Sequence, residues 1–315
     1  MITFSNKKQN RVMIFGAAGF IGTNLTYRLL KDDIRPICVD LPGKDLSFVE
    51  ERGARVIYGS IKDLNDEICD ALDGTDIVYH LVSTTCPSNS DQRIVTELED
   101  NVLATVKLLD ACVKHKVGRV VFLSSGGTVY GREHKGVLSE ADPTNPISGY
   151  GIQKLVIEKY LYLYRELYKL DYRIVRLSNP YGPHQRPDGV QGLVAACTWK
   201  FLHGEPIEIY GDGSVVRDYI YIDDAIQGIL NIASDSAKYR LYNLGSGVGR
   251  TVSDIVESVA YVLHVRPRIE KKSARHVDVP VNILDITRYE AEFGNPITIE
   301  LDEGIWRLAD FYERI

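Results

Sequence analysis

Arg11-Val12-Met13-Ile14-Phe15 is a short apolar run that leads directly into Gly16-Ala17-Ala18-Gly19-Phe20-Ile21-Gly22, and an amphipathic stretch continues from Phe20 to about Lys31. Strand, glycine turn and helix in that order are what a dinucleotide pyrophosphate site requires. The glycines let the backbone approach the phosphates, and the helix start offers free N–H groups to the negative charge. The next strand, Pro36-Ile37-Cys38-Val39, ends in Asp40. A carboxylate at that place accepts both hydroxyls of an adenosine ribose and repels a 2′-phosphate, which favours NAD over NADP. Gly16, Gly19, Phe20, Ile21, Gly22 and Asp40 are therefore candidate NAD-binding residues.

The alternation continues, so the predicted fold class is α/β, a doubly wound parallel Rossmann sheet with a smaller, mixed C-terminal substrate region. Further strands are predicted at Ala54–Ile57, Asp76–Leu81, Arg119–Leu123 and Tyr172–Leu177, with long helices over about Ile94–His115 and Tyr150–Lys169. The second helix carries more apolar surface than a face turned to water needs. Core packing explains it by default; pairing with a second copy of the chain is the sharper reading. From Ser178 onwards Gly and Pro become frequent, in Asn179-Pro180-Tyr181-Gly182-Pro183. Short strands at 207–210 and 219–221, a helix opened by Asp223-Asp224 and a strand at 241–244 returning to the main sheet follow. The expected organisation is an NAD-binding domain over 1–178 with returns near 219–250, interleaved with a substrate-binding region over 179–315.

The 315 residues suit one large or two intimately joined domains. A net charge of −6 argues against nucleic acid as the main partner, although local arginines can still hold an anionic small ligand. The five cysteines are odd in number and widely spaced without a CxxC, which speaks against a disulfide framework or a metal site. The start is polar, without the apolar core of a signal peptide, and no run approaches a membrane span. The expected location is the cytoplasm.

Tyr150 and Lys154 stand four apart, so on a helix the phenol and the ammonium share one face. An ammonium near a phenol favours the phenolate, which makes Tyr150 a candidate general base. The spacing alone discriminates poorly, because Tyr27/Lys31 and Tyr58/Lys62 repeat it among 19 tyrosines. Only Tyr150 follows a loop rich in Pro and Gly (Pro143, Pro146, Gly149) that opens a long helical pattern.

Taken in order, Gly16-x-x-Gly19-x-x-Gly22, Asp40, His80-Leu81, Asn101, Ser124-Ser125, Val129-Tyr130-Gly131, Tyr150-x-x-x-Lys154, Asn179-Pro180, Arg217-Asp218-Tyr219 and Arg275-x-x-Asp278 resemble one family over essentially the whole chain. It is the extended short-chain dehydrogenase/reductase family, specifically its NAD-dependent nucleotide-sugar epimerases and dehydratases. The resemblance implies that Tyr150 is the acid/base and that Lys154 contacts the nicotinamide ribose and lowers the pKa of the phenol. It places Ser60, Ile61 and Leu81 against the cofactor. Asn179 resembles the asparagine that meets the sugar or diphosphate, and Arg217 and Arg275 the arginines that grip the diphosphate. Tyr210 lies where the family borders the nucleotide, where a packed aromatic is an equal reading.

The departures from the family pattern carry information. Galactose epimerases place a third hydroxyl residue where this chain has Gly126, so Ser125 or Thr128 supplies the hydroxyl that orients the sugar 4-OH, with Ser125 favoured. The sugar dehydratases need an acidic pair where Gly127-Thr128 stands, which disfavours dehydration. Ser60 replaces the acidic residue that meets the adenine. Asn282 stands where galactose epimerases gate sugar size with a large aromatic, which would leave room for a 2-acetamido group. The resemblance thus implies C4 epimerisation of a UDP-hexose or UDP-N-acetylhexosamine, or of a lipid-diphosphate sugar, while the two long apolar helices make a homodimer the default expectation. The alternatives are a 4-ketoreductase of deoxysugar nucleotide synthesis and a non-catalytic NAD-binding protein.

Overall fold

The computed structural model describes residues 11–85, 93–132, 136–187, 192–273 and 279–314. In chain order the first half runs β1 (Val12–Phe15), α1 (Phe20–Lys31), β2 (Ile37–Asp40), α2 (Ser47–Glu50), β3 (Arg55–Tyr58), α3 (Asp66–Leu72) and β4 (Ile77–His80). It continues with α4 (Ile94–Glu97), a π-helical turn (Leu98–Leu103), α5 (Ala104–Lys114), β5 (Arg119–Ser125), β6 (Val137–Leu138), α6 (Gly149–Tyr168) and β7 (Asp171–Leu177). The second half runs β8 (Asn179–Tyr181), α7 (Leu193–Leu202), β9 (Ile207–Tyr210), β10 (Val216–Tyr221), α8 (Ile222–Ala233), β11 (Leu241–Leu244) and β12 (Gly249–Thr251). It closes with α9 (Val252–Val262), β13 (Ile269–Lys272), β14 (Val281–Leu284), α10 (Thr287–Phe293) and α11 (Leu301–Glu313).

The main sheet has the order β11-β7-β5-β4-β1-β2-β3. The pairs β1/β2, β1/β4, β2/β3 and β4/β5 are all parallel. Buried on both faces, strands such as Val12–Phe15 and Ile77–His80 read as apolar runs rather than as alternations. Strand order reverses between β1 and β4, and in such sheets ligands bind outside the carboxyl ends of the strands at that reversal.

The chain divides into two compact units. The first takes the residues up to Ser124, then Ser148–Val175 and Ile229–Leu241; the second takes Ser125–Ile147, Arg176–Gly228 and Tyr242–Ile315. Relative to the sequence expectation, 125–147 fall in the second unit and the return to the first is shorter. The first unit's core joins Met13, Val39, Val78, Val120, Leu108 and Leu161 from both layers. Where one helix was expected over 94–115, a π turn interrupts it at Leu98–Leu103. Such turns gather at functional sites, and this one carries the buried Asn101.

In the second unit β12-β10-β14-β6 form a mixed sheet, with β8 also paired to β10, and β13 pairs β9. The buried carboxylate of Asp218 ties this unit together. It accepts from the Ser246 amide and hydroxyl, each at 2.7 Å, and from the Gly247 amide at 3.1 Å. Burial raises its pKa against the opposing pull of those donors. Among the described residues, no helix is long and apolar enough to cross a membrane.

Candidate active site

The glycine turn is shaped by backbone crowding. Gly16 has φ of 86°, and a Cβ there would stand 3.1 Å from the Leu81 carbonyl carbon. A Cβ on Gly22 would lie 2.2 Å from the Gly16 carbonyl oxygen. Gly19 caps α1 without a side-chain hydrogen bond, and no acidic residue sits in its first turn, where Phe20 and Ile21 are half-buried. The N–H groups of this turn are thus left for an anion. Asp40 is fixed beside it: one carboxylate oxygen accepts from the Ala18 amide and the other from the Leu41 amide, both at 2.8 Å. Each oxygen retains a lone pair for a ribose hydroxyl. Ile61 is buried in the core, and the half-buried Ser60 accepts the Lys62 amide through its hydroxyl. A cradle closed to any Cβ and open to a pyrophosphate, with a carboxylate at the next strand end, fits NAD.

Ser148 caps α6 by accepting the Gly151 amide at 3.2 Å, which places Tyr150 in the first helical turn. Lys154, one turn on, is only 6% exposed, and its ammonium donates to the Leu123 carbonyl at 2.8 Å. The ammonium stands 4.8 Å from the Phe122 ring centroid and 5.5 Å from that of Tyr150. Burial lowers the Lys154 pKa to about 8 against the opposing pull of Glu158. Ser124 spends its hydroxyl on Glu158 at 2.5 Å, so it is a partner of that carboxylate. The two other Tyr/Lys pairs have different surroundings. Tyr27 packs on Phe48 beneath Arg52, and Lys62 is bound to Asp100.

His80, at the end of β4, is buried, and burial followed by the charge of Lys154 pushes its pKa down to about 3. It is neutral at physiological pH. Thr105 donates its hydroxyl to the Asn101 carbonyl at 2.5 Å and meets His80 Nε2 at 2.8 Å, so Nε2 carries the ring proton. Val82, Ser83, Asn101, Gln153 and Ile157 line a small cavity with Tyr150 and Lys154.

In the second unit Ser125 ends β5, and its hydroxyl has no hydrogen-bond partner among the described residues. The Thr128 hydroxyl is buried and likewise unpartnered among them. Gly126 is enforced by packing: a Cβ there would meet the two Leu284 methyl carbons at 2.5 and 2.8 Å. Asn282 corrects the size-gate expectation. It is 1% exposed and donates to the Gly126 carbonyl at 3.0 Å, so its side chain belongs to the interior of this unit rather than to an open gate.

Asn179 donates to the Asp218 carbonyl at 2.8 Å, and Arg217 donates to the carbonyls of Val216 and Val279 at 2.8 and 2.6 Å. Tyr210 donates to Glu208 at 3.2 Å. Arg275 lies outside the described residues.

The model of the NAD dependent epimerase/dehydratase family matches residues 12–245. The chain belongs to that family. It is 32% identical over 311 residues to the UDP-glucose 4-epimerase of Mycolicibacterium smegmatis, covering 96% of this chain and 98% of that one. It is also 32% identical over 310 residues to the dTDP-4-dehydro-6-deoxyglucose reductase of Escherichia coli, covering 96% and 97%. The structure of UDP-glucose 4-epimerase from Thermotoga maritima, with UDP-glucose, superposes with a TM-score of 0.90 at 30% identity, covering 96% of this chain and 99% of that one.

As a member of an NAD-dependent epimerase/dehydratase family, the protein uses NAD. Sequence reasoning missed Glu97, Gln153 and Glu158, all buried polar groups beside the Tyr150–Lys154 helix start. One signal was available for two of them. Gln153 and Glu158 fall on the inward stripe of α6 with Tyr150, Lys154, Ile157 and Leu161, where an apolar residue is the norm.

Proposed function

We propose that the protein is a nucleotide-sugar 4-epimerase that inverts C4 of a UDP-linked hexose or N-acetylhexosamine through a transient 4-keto sugar. The observation that carries this reading is the start of α6, where a serine-capped first turn presents Tyr150 and a buried ammonium stands 5.5 Å from its ring. Bound NAD supplies the acceptor, and then the donor, of the C4 hydride. Tyr150 takes the proton of the 4-OH as that hydride leaves and returns it when the ketone is reduced on the other face. Lys154 holds positive charge next to the phenol and so favours the phenolate. Ser125, with an uncommitted hydroxyl, orients the 4-OH; Thr128 is the competing candidate. Asn179, Arg217 and Arg275 take the diphosphate, for which the guanidinium fork is suited, and Tyr210 borders the nucleotide.

Gly127-Thr128 offers no acid for loss of water, which weighs against dehydration. The reductase reading is kept because the Escherichia coli relative is as similar as the mycobacterial one. Purified protein incubated with UDP-glucose, UDP-galactose and their N-acetylated forms should interconvert C4 epimers without added nicotinamide. Stoichiometric consumption of NAD(P)H with a 4-keto-6-deoxysugar nucleotide, and no inversion of any UDP-sugar, would assign the reductase instead.

The same reading makes the protein a cytoplasmic homodimer. On the first unit Val95, Leu98, Leu103, Leu163, Leu167 and Tyr168 are exposed. The helices that carry them, α6 and the α4–π–α5 segment, pack side by side, and a second copy of the same helix pair is the complement proposed for that face.

A further inference from the structure

Beside the cavity at the start of α6 runs a chain of hydrogen bonds that no part of the proposed chemistry uses. The Thr84 amide donates to Asn101 Oδ1 at 2.9 Å; Asn101 Nδ2 donates to Gln153 Oε1 at 2.9 Å; Gln153 Nε2 donates to Glu97 Oε2 at 3.0 Å. Asn101, Gln153 and Glu97 are 5%, 3% and 6% exposed. A backbone N–H can only donate, so Thr84 fixes which side of the Asn101 amide is oxygen. That choice forces Gln153 to accept on one side and donate on the other, and the end of the chain must be an acceptor. Glu97 is that acceptor.

A buried carboxylate whose side-chain partner among the described residues is a neutral amide is a costly thing to keep in a core. An apolar side chain would pack there at lower cost, so the polarity points to a geometric task. Four elements meet at this chain: the segment after β4 through Thr84, α4 through Glu97, the π turn through Asn101, and α6 through Gln153. On α6, Tyr150, Gln153 and Lys154 stand at i, i+3 and i+4 and share one face. All three line the same cavity.

We propose that Gln153 is a positioning residue, locked between Glu97 and Asn101, that sets the placement of Tyr150 and Lys154 relative to the Val82–Thr84 segment. This rests on Tyr150 and Lys154 being the reacting pair. Gln153 touches neither substrate nor cofactor in this role; it fixes the helix face that does. Reacting groups displaced by about 1 Å lose rate on the order of 10²-fold, so a clamp one residue from Lys154 acts on turnover more than on binding.

The test uses the whole chain with its NAD and reads two quantities. Gln153→Met keeps the length of the side chain but removes donor and acceptor. Its kcat should fall about tenfold or more with KM within about twofold, and the Thr84 amide should exchange with solvent deuterium faster. Gln153→Glu sets two carboxylates against each other and should lose at least as much. The double substitution Glu97→Gln with Gln153→Glu reinstates both bonds, the carboxylate at 153 accepting from Asn101 and from the new amide at 97. It should recover most of kcat and the slow exchange at Thr84. Wild-type kcat and exchange in Gln153→Met, or a double variant no better than Gln153→Glu, overturns the proposal. Exchange at Thr84 is read without substrate, so a wild-type protein that inverts no UDP-sugar would remove the assigned reaction while the exchange pattern still decides on the clamp.

Discussion

Lys154 shows at the scale of one residue how the proposed function is set against stability. Its folded pKa of about 8 lies below the ordinary 10.5 because burial disfavours the charged form. Between those values the unfolded chain holds a proton that the folded chain has released, so this group's contribution to stability rises with pH across that window. It is absent below about pH 8, where the buried amine must carry its charge. Lys154→Met should therefore abolish turnover yet raise stability at pH 7 by about 1–3 kcal/mol. Melting curves from pH 7 to 10.5 should show the gap to wild type narrowing as pH rises. Ser125, at the end of β5, and Thr128, in the turn after it, separate in the same way. Thr128→Val removes a buried hydroxyl without a partner among the described residues and should leave the protein equal or about 1 kcal/mol more stable by denaturant titration. Ser125→Ala should lower kcat about 10²-fold. A large loss in Thr128→Val with none in Ser125→Ala would reverse the assignment. Sequence named both hydroxyls and favoured Ser125; the fold leaves each without a partner among the described residues, so kinetics on the two variants decide between them.

The elements that position the site were legible to different degrees. Strand β1, the glycine turn and α1 could be read directly, since their geometry is dictated by local backbone crowding at Gly16 and Gly22. The start of α6 was legible for a similar reason: a loop of prolines ends in a capping serine, and the helix must begin there. The π turn at Leu98–Leu103 was not, because its apolar pattern is that of a helix and the wider turn is stabilised by contacts of Asn101 with Thr84 and Gln153 far along the chain. Gly126 stood out in the sequence as a missing hydroxyl, whereas its cause lies in β14, where Leu284 fills the space. Gly126→Ser should cost about 1–3 kcal/mol. Leu284→Ala creates room at the same place, so the double variant should cost less than the sum of the two single changes in a denaturant cycle. Strict additivity would show that the overlap is relieved elsewhere.

For the whole molecule, the doubly wound sheet and the membership of the NAD dependent epimerase/dehydratase family follow from motifs spread over the chain, and both were visible in the sequence. The division into units was less so: the chain leaves the first unit at Ser125 and returns at Ser148, and within that excursion β6 pairs with the distant β14, a partner that local sequence does not name. Assembly is tested on the face formed by α6 and the α4–π–α5 segment. Leu167, 60% exposed, replaced by Glu should shift the protein from dimer to monomer in light scattering at micromolar concentration, with its melting curve still cooperative. A wild-type monomer would remove the homodimer from the account. In the proposed reaction Tyr150 exchanges a proton with the sugar 4-OH while C4 is oxidised and reduced again in place. Its most direct measurement is proton NMR of UDP-glucose incubated with the purified protein, beside the Tyr150→Phe variant and with no added nicotinamide. The UDP-galactose anomeric signal should grow to equilibrium with wild type and should not grow with a Tyr150→Phe protein that still binds NAD. Inversion at an undiminished rate by Tyr150→Phe would contradict it.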